Sequence, residues 1–478
     1  MNAVLGIPVV IVRYGEISIK SSRTRPVFER LLIRNIRDAL NKSGIKSRIK
    51  RIRGRILVYT EDAEEAARVI ARVFGVVSVS PAEEYELTGG IEQIKNVVVE
   101  KYGRRVCGRK FAVRATRSGT HDFKSPDVER VVGGALKGKG GIVDLTNPEI
   151  TVRVEIRDNK FYIFAKILHG PGGLPIGSEG RVLALFSGGI DSPVAAWLMM
   201  KRGCTVDFLF INPENTTLLS KVSSVLLELI NRWAHGYTPL FYVCQCKDEI
   251  NLLKNIVRDD YKQVVLKCLM YRIACKLAQK ENYIALITGE SLGQASSQTL
   301  QNLRLISKRA DLPVLRPLIG LDKDEITKLA RKIGTYEKSS KIREFCGIAR
   351  GPVTTKANSE ILQEEEKKLL EAIEIQKIVE KKISVLSPED IITLSLRTRI
   401  DLSAAEVIFL DPPPFEYNGK IISFMDALDL PHGKYIVVCK NGVKARLVAD
   451  ALRETGSEAI ALSFSEFREY LEQKNICQ

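Results

Sequence analysis

The sequence predicts a multidomain α/β protein: α+β units at the front, a doubly wound parallel-sheet domain in the middle, and a small α/β unit at the end. Three observations lead there. At 478 residues the chain is too long for one hydrophobic core. Between 181 and 345 short apolar runs alternate with helical stretches, which is the pattern of a mostly parallel sheet with helices on both faces. A linker, His169-Gly-Pro-Gly-Gly-Leu-Pro-Ile-Gly177, separates that stretch from what precedes it. Apolar residues make up 45% and charged residues 27%, the composition of an ordinary globular protein. Apolar runs such as 182–186 and 435–439 are far too short to span a bilayer, and no charged leader with an apolar core opens the chain. A cytosolic protein without a membrane anchor is expected.

Taken in order, 9–12 reads as a strand and 25–40 as an amphipathic helix with Phe28, Leu31, Leu32 and Ile36 inward. A strand pair at 48–60 turns at Gly54. Residues 61–80 read as helical and then extended, with Pro81 ending the pattern. Strands and helices alternate again over 87–168, with strands at 109–117 and 151–167 and a helix at 127–137. In the middle domain the strands are 182–186, 205–211, 240–243 and 283–288, and the helices 192–201, 218–235 and 261–281. The charged stretch 359–383 reads as a helical connector, and 400–478 as a further α/β unit.

The net charge of +16 is unevenly spread. Residues 1–175 hold 32 Lys/Arg against 19 Asp/Glu, a net of +13, whereas 371–478 hold 13 against 17, a net of −4. A polyanion partner is therefore expected at the front, bound through released counterions; a solvated basic surface is the plain alternative. Nine cysteines are an odd number for a disulfide framework. Cys275, between Ile273 and Leu277 on a helix, reads as inert packing, and Cys244 and Cys246 have a poor spacing for a metal.

The strongest local signal is Leu183-Ala-Leu-Phe-Ser-Gly-Gly-Ile-Asp-Ser192, where a buried strand runs into Ser187-Gly188-Gly189 and a helix begins at about Ser192. Two glycines let the backbone approach an anion, amides at the helix start point at it, and Ser187 and Ser192 add hydroxyl donors. No Lys-Ser/Thr follows the glycines, so this is not a Walker A loop. The pattern resembles the PP-loop of the N-type ATP pyrophosphatases, which transfer AMP to a carbonyl or carboxylate oxygen. That resemblance makes Asp191 a residue that holds Mg²⁺ or positions the phosphates. A plain strand–turn–helix corner is the alternative.

Further stretches narrow the family. Val12-Arg-Tyr-Gly-Glu-Ile-Ser-Ile-Lys20, His121-Asp-Phe123, Val128-Glu-Arg-Val-Val-Gly-Gly134 and Leu145-Thr-Asn-Pro148 resemble a ferredoxin-like domain followed by a THUMP domain. Thr288-Gly-Glu-Ser-Leu-Gly-Gln-Ala-Ser-Ser-Gln298, Asn302-Leu-Arg304, Leu315-Arg-Pro-Leu318 and Phe345-Cys-Gly347 resemble the tRNA 4-thiouridine synthetase family. The resemblance is close over 1–358 and looser beyond. It implies a ferredoxin-like domain at 1–60, a THUMP domain at 61–169, a PP-loop domain at 177–370 and a rhodanese-like domain at 400–478. The first two would hold the tRNA acceptor region, and the third would adenylate O4 of uridine at tRNA position 8. Leu185, Phe186, Phe210, Ile211, Lys267, Gly289 and Gln298 would line the ATP pocket. Lys267 suits a phosphate-facing cation and Gly289 a point of close backbone approach. Lys323 resembles a lysine the family brings to the site; a solvated helix start is its rival reading.

Once AMP is the leaving group, a sulfur nucleophile must attack C4. Val437-Val-Cys-Lys-Asn-Gly-Val-Lys-Ala-Arg446 resembles the rhodanese loop whose cysteine carries a persulfide, charged by a cysteine desulfurase or other persulfide donor. Loop amides near a helix start, with Lys440 and Lys444, favour a thiolate at Cys439. The resemblance then implies attack by Cys346, release of the thiolated base and a redox-active Cys346–Cys439 disulfide. Two departures stand out: Asp411-Pro412-Pro413-Pro414 where the family often has an acidic residue and then Arg, and Ala445 in place of a hydroxyl residue. Some members instead use cysteines of the PP-loop domain, sometimes around an iron–sulfur cluster. Cys268 could begin such a C-x-x-C, but Tyr271 occupies the second place. Sulfur delivery to thiamine thiazole is a further family role, and members are often homodimers. Rival readings are a non-catalytic RNA-binding ATP sensor and another PP-loop tRNA enzyme, such as a 2-thiolating one.

Overall fold

The computed structural model describes residues 6–213, 216–342, 351–396, 405–415, 417, 419–464 and 467–468. It divides into two units, 1–180 with 198–205 and 233–238, and 181–197 with 206–232 and 239–478. No helix among the described residues is long and apolar enough to cross a membrane.

The first unit is built on one nine-stranded sheet. Its strands run in the order Arg48–Ile52, Arg55–Tyr59, Ile7–Tyr14, Val76–Glu86, Lys160–Phe164, Ile150–Arg157, Lys110–Ser118 and Ile142–Val143, with Leu168–His169 beside Val76–Glu86. Helix Arg25–Lys42 buries Phe28, Leu32, Ile36, Ala39 and Leu40 at the spacing of one helical face, while Leu31 is only half-buried. It shares a core with helix Ala63–Ile70, and helices Gly90–Val106 and Ser125–Lys137 form a second core with the other half of the sheet. Gly54, at φ +73°, makes the turn between the first two strands.

Pro81 does not end the extended pattern. It sits inside the 11-residue strand Val76–Glu86, opposite Val10. On the other edge of that strand, Ser78 and Val79 pair with 168–169 and Glu83 to Glu86 pair with 160–163. Pro81 falls in the gap between the two ladders, where a missing N–H leaves no bond unmade on that edge.

The second unit holds a six-stranded sheet in the order Val314–Leu315, Leu286–Ile287, Arg181–Leu185, Thr205–Asn212, Phe241–Gln245 and Ile383–Leu386. Leu183↔Leu286 and Phe208↔Phe241 are parallel registers, as the alternating pattern predicts. Helix Lys262–Lys280 lies at the centre of its largest core, with Cys275 buried among apolar neighbours. A four-stranded parallel sheet, Lys420–Ile421, Glu406–Phe409, Lys434–Cys439 and Glu458–Ser463, organises the last segment with helices Phe424–Leu428 and Val443–Glu454.

The connector expected at 359–383 is part of the domain core. Helices Ser359–Ala372 and Ile375–Lys381 place Leu362, Leu369, Ile378 and Val379 in the largest cluster, and strand Ile383–Leu386 adds antiparallel to the sheet edge. The stretch reads as solvated only because its sequence does not show that two of its charges, Glu365 and Glu366, are buried. Glu366 accepts from Arg309 Nε at 2.8 Å and from Arg272 at 3.2 Å, and the Arg309 and Glu366 side chains are each 6% exposed. Removing one partner strands a buried charge. Glu366→Ala is therefore expected to destabilise this unit by about 3–5 kcal/mol, read as a denaturant midpoint shifted down; an unchanged midpoint would contradict the packing.

Candidate nucleotide site

Strand Arg181–Leu185 leads through Phe186 into the loop Ser187 to Ile190, and helix Asp191–Lys201 starts one residue earlier than the pattern suggests. Gly188 adopts φ +74°, and a Cβ there would come within 2.8 Å of Ile342 and 3.1 Å of the Val222 backbone, so only glycine fits. The loop is tied to the helix start. Ser192 Oγ accepts from Gly188 N at 3.2 Å, and Ser187 Oγ accepts from Gly189 N at 3.3 Å.

Above the loop lies a cleft of about 990 Å³, open to solvent. Ten of the residues expected at the site line it: Leu185, Phe186, Ser187, Asp191, Ser192, Phe210, Ile211, Lys267, Gly289 and Gln298. Gly188 and Gly189 form the turn beneath, and Lys323 reaches in from the first residue of helix Lys323–Ile333, whose start Asp322 and Glu325 cap. Gly289 is a point of close approach, but to protein: a Cβ would stand 3.0 Å from the backbone of Asp191 and Ser192. The Asp191 carboxylate accepts from Lys323 Nζ at 2.7 Å and from Gln294 Nε2 at 2.7 Å, so both oxygens are engaged. Lys323 and Gln294 thus bring polar groups to Asp191 at the loop, while Leu209, Ile250, Leu266 and Met270 give the cleft apolar lining, a combination that suits the phosphates and the base of a nucleotide.

Glu290, which sequence reasoning passed over, also lines the cleft and is 2% exposed. Its Oε2 accepts from Tyr271 OH at 2.6 Å, Arg316 Nε at 2.8 Å and Thr288 Oγ1 at 3.0 Å, and Lys267 Nζ stands 3.9 Å from Oε1. Burial alone would push this carboxyl up; Lys267, Tyr271 and Arg316 outweigh it and hold Glu290 below the usual carboxylate range, hence ionised. The only signal in the sequence was its place inside the Thr288-to-Gln298 stretch.

Comparison with known proteins places this architecture. The model described as "Thiamine biosynthesis protein (ThiI)" matches residues 177–370, the ThiI ferredoxin-like domain matches 9–80, and the THUMP domain matches 91–166. A probable tRNA sulfurtransferase of Aeropyrum pernix is 46% identical over 72% of this chain and 88% of its own length. The tRNA sulfurtransferase of Desulfurococcus amylolyticus is 39% identical over 94% of this chain and 95% of its own. The chain belongs to the tRNA sulfurtransferase (ThiI) family of enzymes. A crystal structure of a 4-thiouridine synthetase–RNA complex with bound ATP resembles it with a TM-score of 0.69 at 29% identity, over 80% of this chain and all of that one. As a tRNA sulfurtransferase family member, the protein combines ferredoxin-like, THUMP and PP-loop-like domains.

The cysteines expected to handle sulfur lie in different surroundings. Cys439 is the last residue of strand Lys434–Cys439 and is buried, and its Sγ accepts from Ala445 N at 3.2 Å. Gly442, at φ +78°, starts helix Val443–Glu454 beside it. Lys444 does not face the thiol unopposed: its Nζ pairs with Asp411 at 2.9 Å, and Asp411 also accepts from Lys440 N at 3.1 Å. Those contacts, Lys444 first, hold Asp411 below the usual carboxylate range. Cys346 lies outside the described residues. Cys268 is buried, and burial and then Glu366 push its thiol up, so it is poorly placed to act as a nucleophile. Cys244 and Cys246 are buried with their sulfurs 3.1 Å apart.

Proposed function

We propose that this chain uses ATP to adenylate O4 of uridine at tRNA position 8 and replaces that oxygen with persulfide sulfur, giving 4-thiouridine. The observation that carries the proposal is the Ser187–Ser192 loop, with Asp191 held between Lys323 and Gln294, beside a cleft open to solvent and lined by polar and apolar groups. Relatives named tRNA sulfurtransferase and the ATP- and RNA-bound 4-thiouridine synthetase supply the substrate classes.

The chemistry runs in two stages. Amides and hydroxyls of the loop, with Lys323 and Lys267, hold the triphosphate while uracil O4 attacks the α-phosphorus and pyrophosphate leaves. Magnesium, when bound, would neutralise phosphate charge. Among the described residues no group of three acidic or metal-binding side chains converges; a single carboxylate, Asp191, suits an ion held mostly by phosphate oxygens and water. In the second stage the terminal sulfur of a Cys439 persulfide attacks C4 and AMP departs, leaving the base joined to Cys439 through a disulfide. Cys346 thiolate then attacks the Cys439 sulfur, which frees the thiolated base and leaves a Cys346–Cys439 disulfide for reduction by a cellular thiol. A cysteine desulfurase or similar donor recharges a rhodanese-like segment at 400–478, in the cytoplasm. The family's name favours a second role, sulfur transfer to thiazole. Comparing Cys439→Ala in both products would separate the two.

The test is direct. Protein, ATP, magnesium, a persulfide source and unmodified tRNA are incubated, and the tRNA is digested for nucleoside mass spectrometry. 4-Thiouridine at position 8 supports the proposal; 2-thiouridine or no thiolated nucleoside refutes it.

The basic front of the chain would hold the acceptor region. Arg104, Arg105, Arg109, Lys137 and Lys139 are all exposed on the THUMP part. Since each duplex phosphate neutralised contributes about −0.9 to the slope of log affinity against log salt, a slope of about −3 or steeper is expected for tRNA. A flat dependence, measured by filter binding, would remove the electrostatic argument.

A further inference from the structure

Glu290 holds an unusual position for a carboxylate. Its Oε2 is saturated by three donors, from Tyr271, Arg316 and Thr288. Its Oε1 is fully buried yet has no hydrogen-bond partner among the described residues. The Lys267 ammonium stands 3.9 Å away, beyond hydrogen-bond length. Arg316 cannot move over to satisfy it, because it also donates to Tyr271 OH at 3.0 Å and Ser307 Oγ at 2.8 Å. A buried, ionised oxygen left unmatched is destabilising, and Glu290 lines the cleft.

The position along the cleft says what kind of donor belongs there. Gly289, the preceding residue, abuts the backbone of Asp191 and Ser192 at the loop. Lys267, 3.9 Å from Oε1, lies on helix Lys262–Lys280 between Leu266 and Met270, two apolar residues that also line the cleft. Glu290 is thus flanked by the loop on one side and by apolar lining on the other, where the ribose of a nucleotide with its phosphates at the loop would fall. A phosphate oxygen is excluded, because it carries no proton to share with a carboxylate. The groups that can donate from the middle of a nucleotide are the ribose hydroxyls.

We propose that Glu290 is the ribose-recognition group of this cleft, its Oε1 accepting a hydrogen bond from the 2′- or 3′-hydroxyl of ATP. The inference rests on the nucleotide reading of the cleft and adds to it a reason for preferring ribonucleotides.

Titration calorimetry of the full chain with ATP, 2′-deoxy-ATP and 3′-deoxy-ATP tests it. The wild-type protein should bind one deoxynucleotide about 10- to 100-fold more weakly than ATP, the worth of a hydrogen bond to a charged group. In Glu290→Gln the amide oxygen stays with Arg316 and the cleft sees a neutral N–H, so discrimination should fall to about threefold. Glu290→Asp keeps the charge that pairs with Arg316 but withdraws the acceptor by one methylene, and should lose discrimination likewise. A residue that only props the helix would weaken all three nucleotides equally and leave the ratio intact; that result overturns the inference. So does a wild-type protein that binds all three alike. Failure of the wild-type protein to bind ATP at all would instead bring down the nucleotide reading itself.

Discussion

Asp191→Ala is expected to lower RNA-dependent release of AMP and pyrophosphate by about 100- to 1,000-fold or more, while tRNA affinity stays within about twofold of wild type. The expectation follows from what the carboxylate touches. It stands at the first residue of helix Asp191–Lys201 and fixes both the Lys323 ammonium and the Gln294 amide, each at 2.7 Å. Without it Lys323, whose side chain is about half exposed, loses the ion pair that holds it beside the loop. Ground-state nucleotide binding should suffer less than turnover, since the loop amides and the apolar lining remain. On the proposed reading RNA binding draws on the basic front of the chain, where the net charge of +13 lies. Parallel measurement of product release and filter-binding affinity checks both halves. Equal loss of the two would contradict the assignment of separate surfaces.

Cys439→Ser should reduce 4-thiouridine formation by at least about a thousandfold and leave RNA-dependent pyrophosphate release and formation of AMP-linked RNA intact. Serine fits the same space and can still accept from the Ala445 amide, but oxygen cannot carry a transferable sulfur. The strand end, the left-handed Gly442 and the helix start cradle this one atom, and a persulfide would place its terminal sulfur about 2 Å beyond Sγ. Cys346→Ser should show a different defect, stalling with the base still joined to Cys439. Intact mass spectrometry under non-reducing conditions would detect that adduct. Full activity of Cys439→Ser would send the search for the sulfur carrier elsewhere, although Cys268, buried beside Glu366, is a poor substitute.

Legibility in the sequence followed how local the physics is. The Ser187–Ser192 loop could be read because strand, glycine pair and helix start are contiguous, and each constraint leaves a residue type behind. The parallel sheet was visible for the same reason, since strands and helices alternate along the chain. Long-range satisfaction was not. Glu366 looks like one more charge on a solvated helix until Arg309 and Arg272 are seen to meet it, so the stretch 359–383 read as a connector. Asp411 registered as a departure from a motif, not as the partner of Lys444. Glu290 sat unremarked inside a quoted stretch because nothing local reveals that one of its oxygens is saturated and the other is not. Pro81 misled for the converse reason: its local rule is sound, but the gap between two ladders lies outside its neighbourhood.

The central claim is that the cleft above Gly188 and Gly189 cleaves ATP between its α- and β-phosphates against a nucleobase oxygen. The measurement closest to it is pyrophosphate release from γ-labelled ATP, with α-labelled ATP in parallel to follow AMP onto RNA, with and without unmodified tRNA and with no sulfur source present. The account predicts tRNA-stimulated pyrophosphate and AMP-linked RNA that accumulates until sulfur is added. ATP turnover indifferent to tRNA, or release of orthophosphate and ADP in place of pyrophosphate, would contradict it.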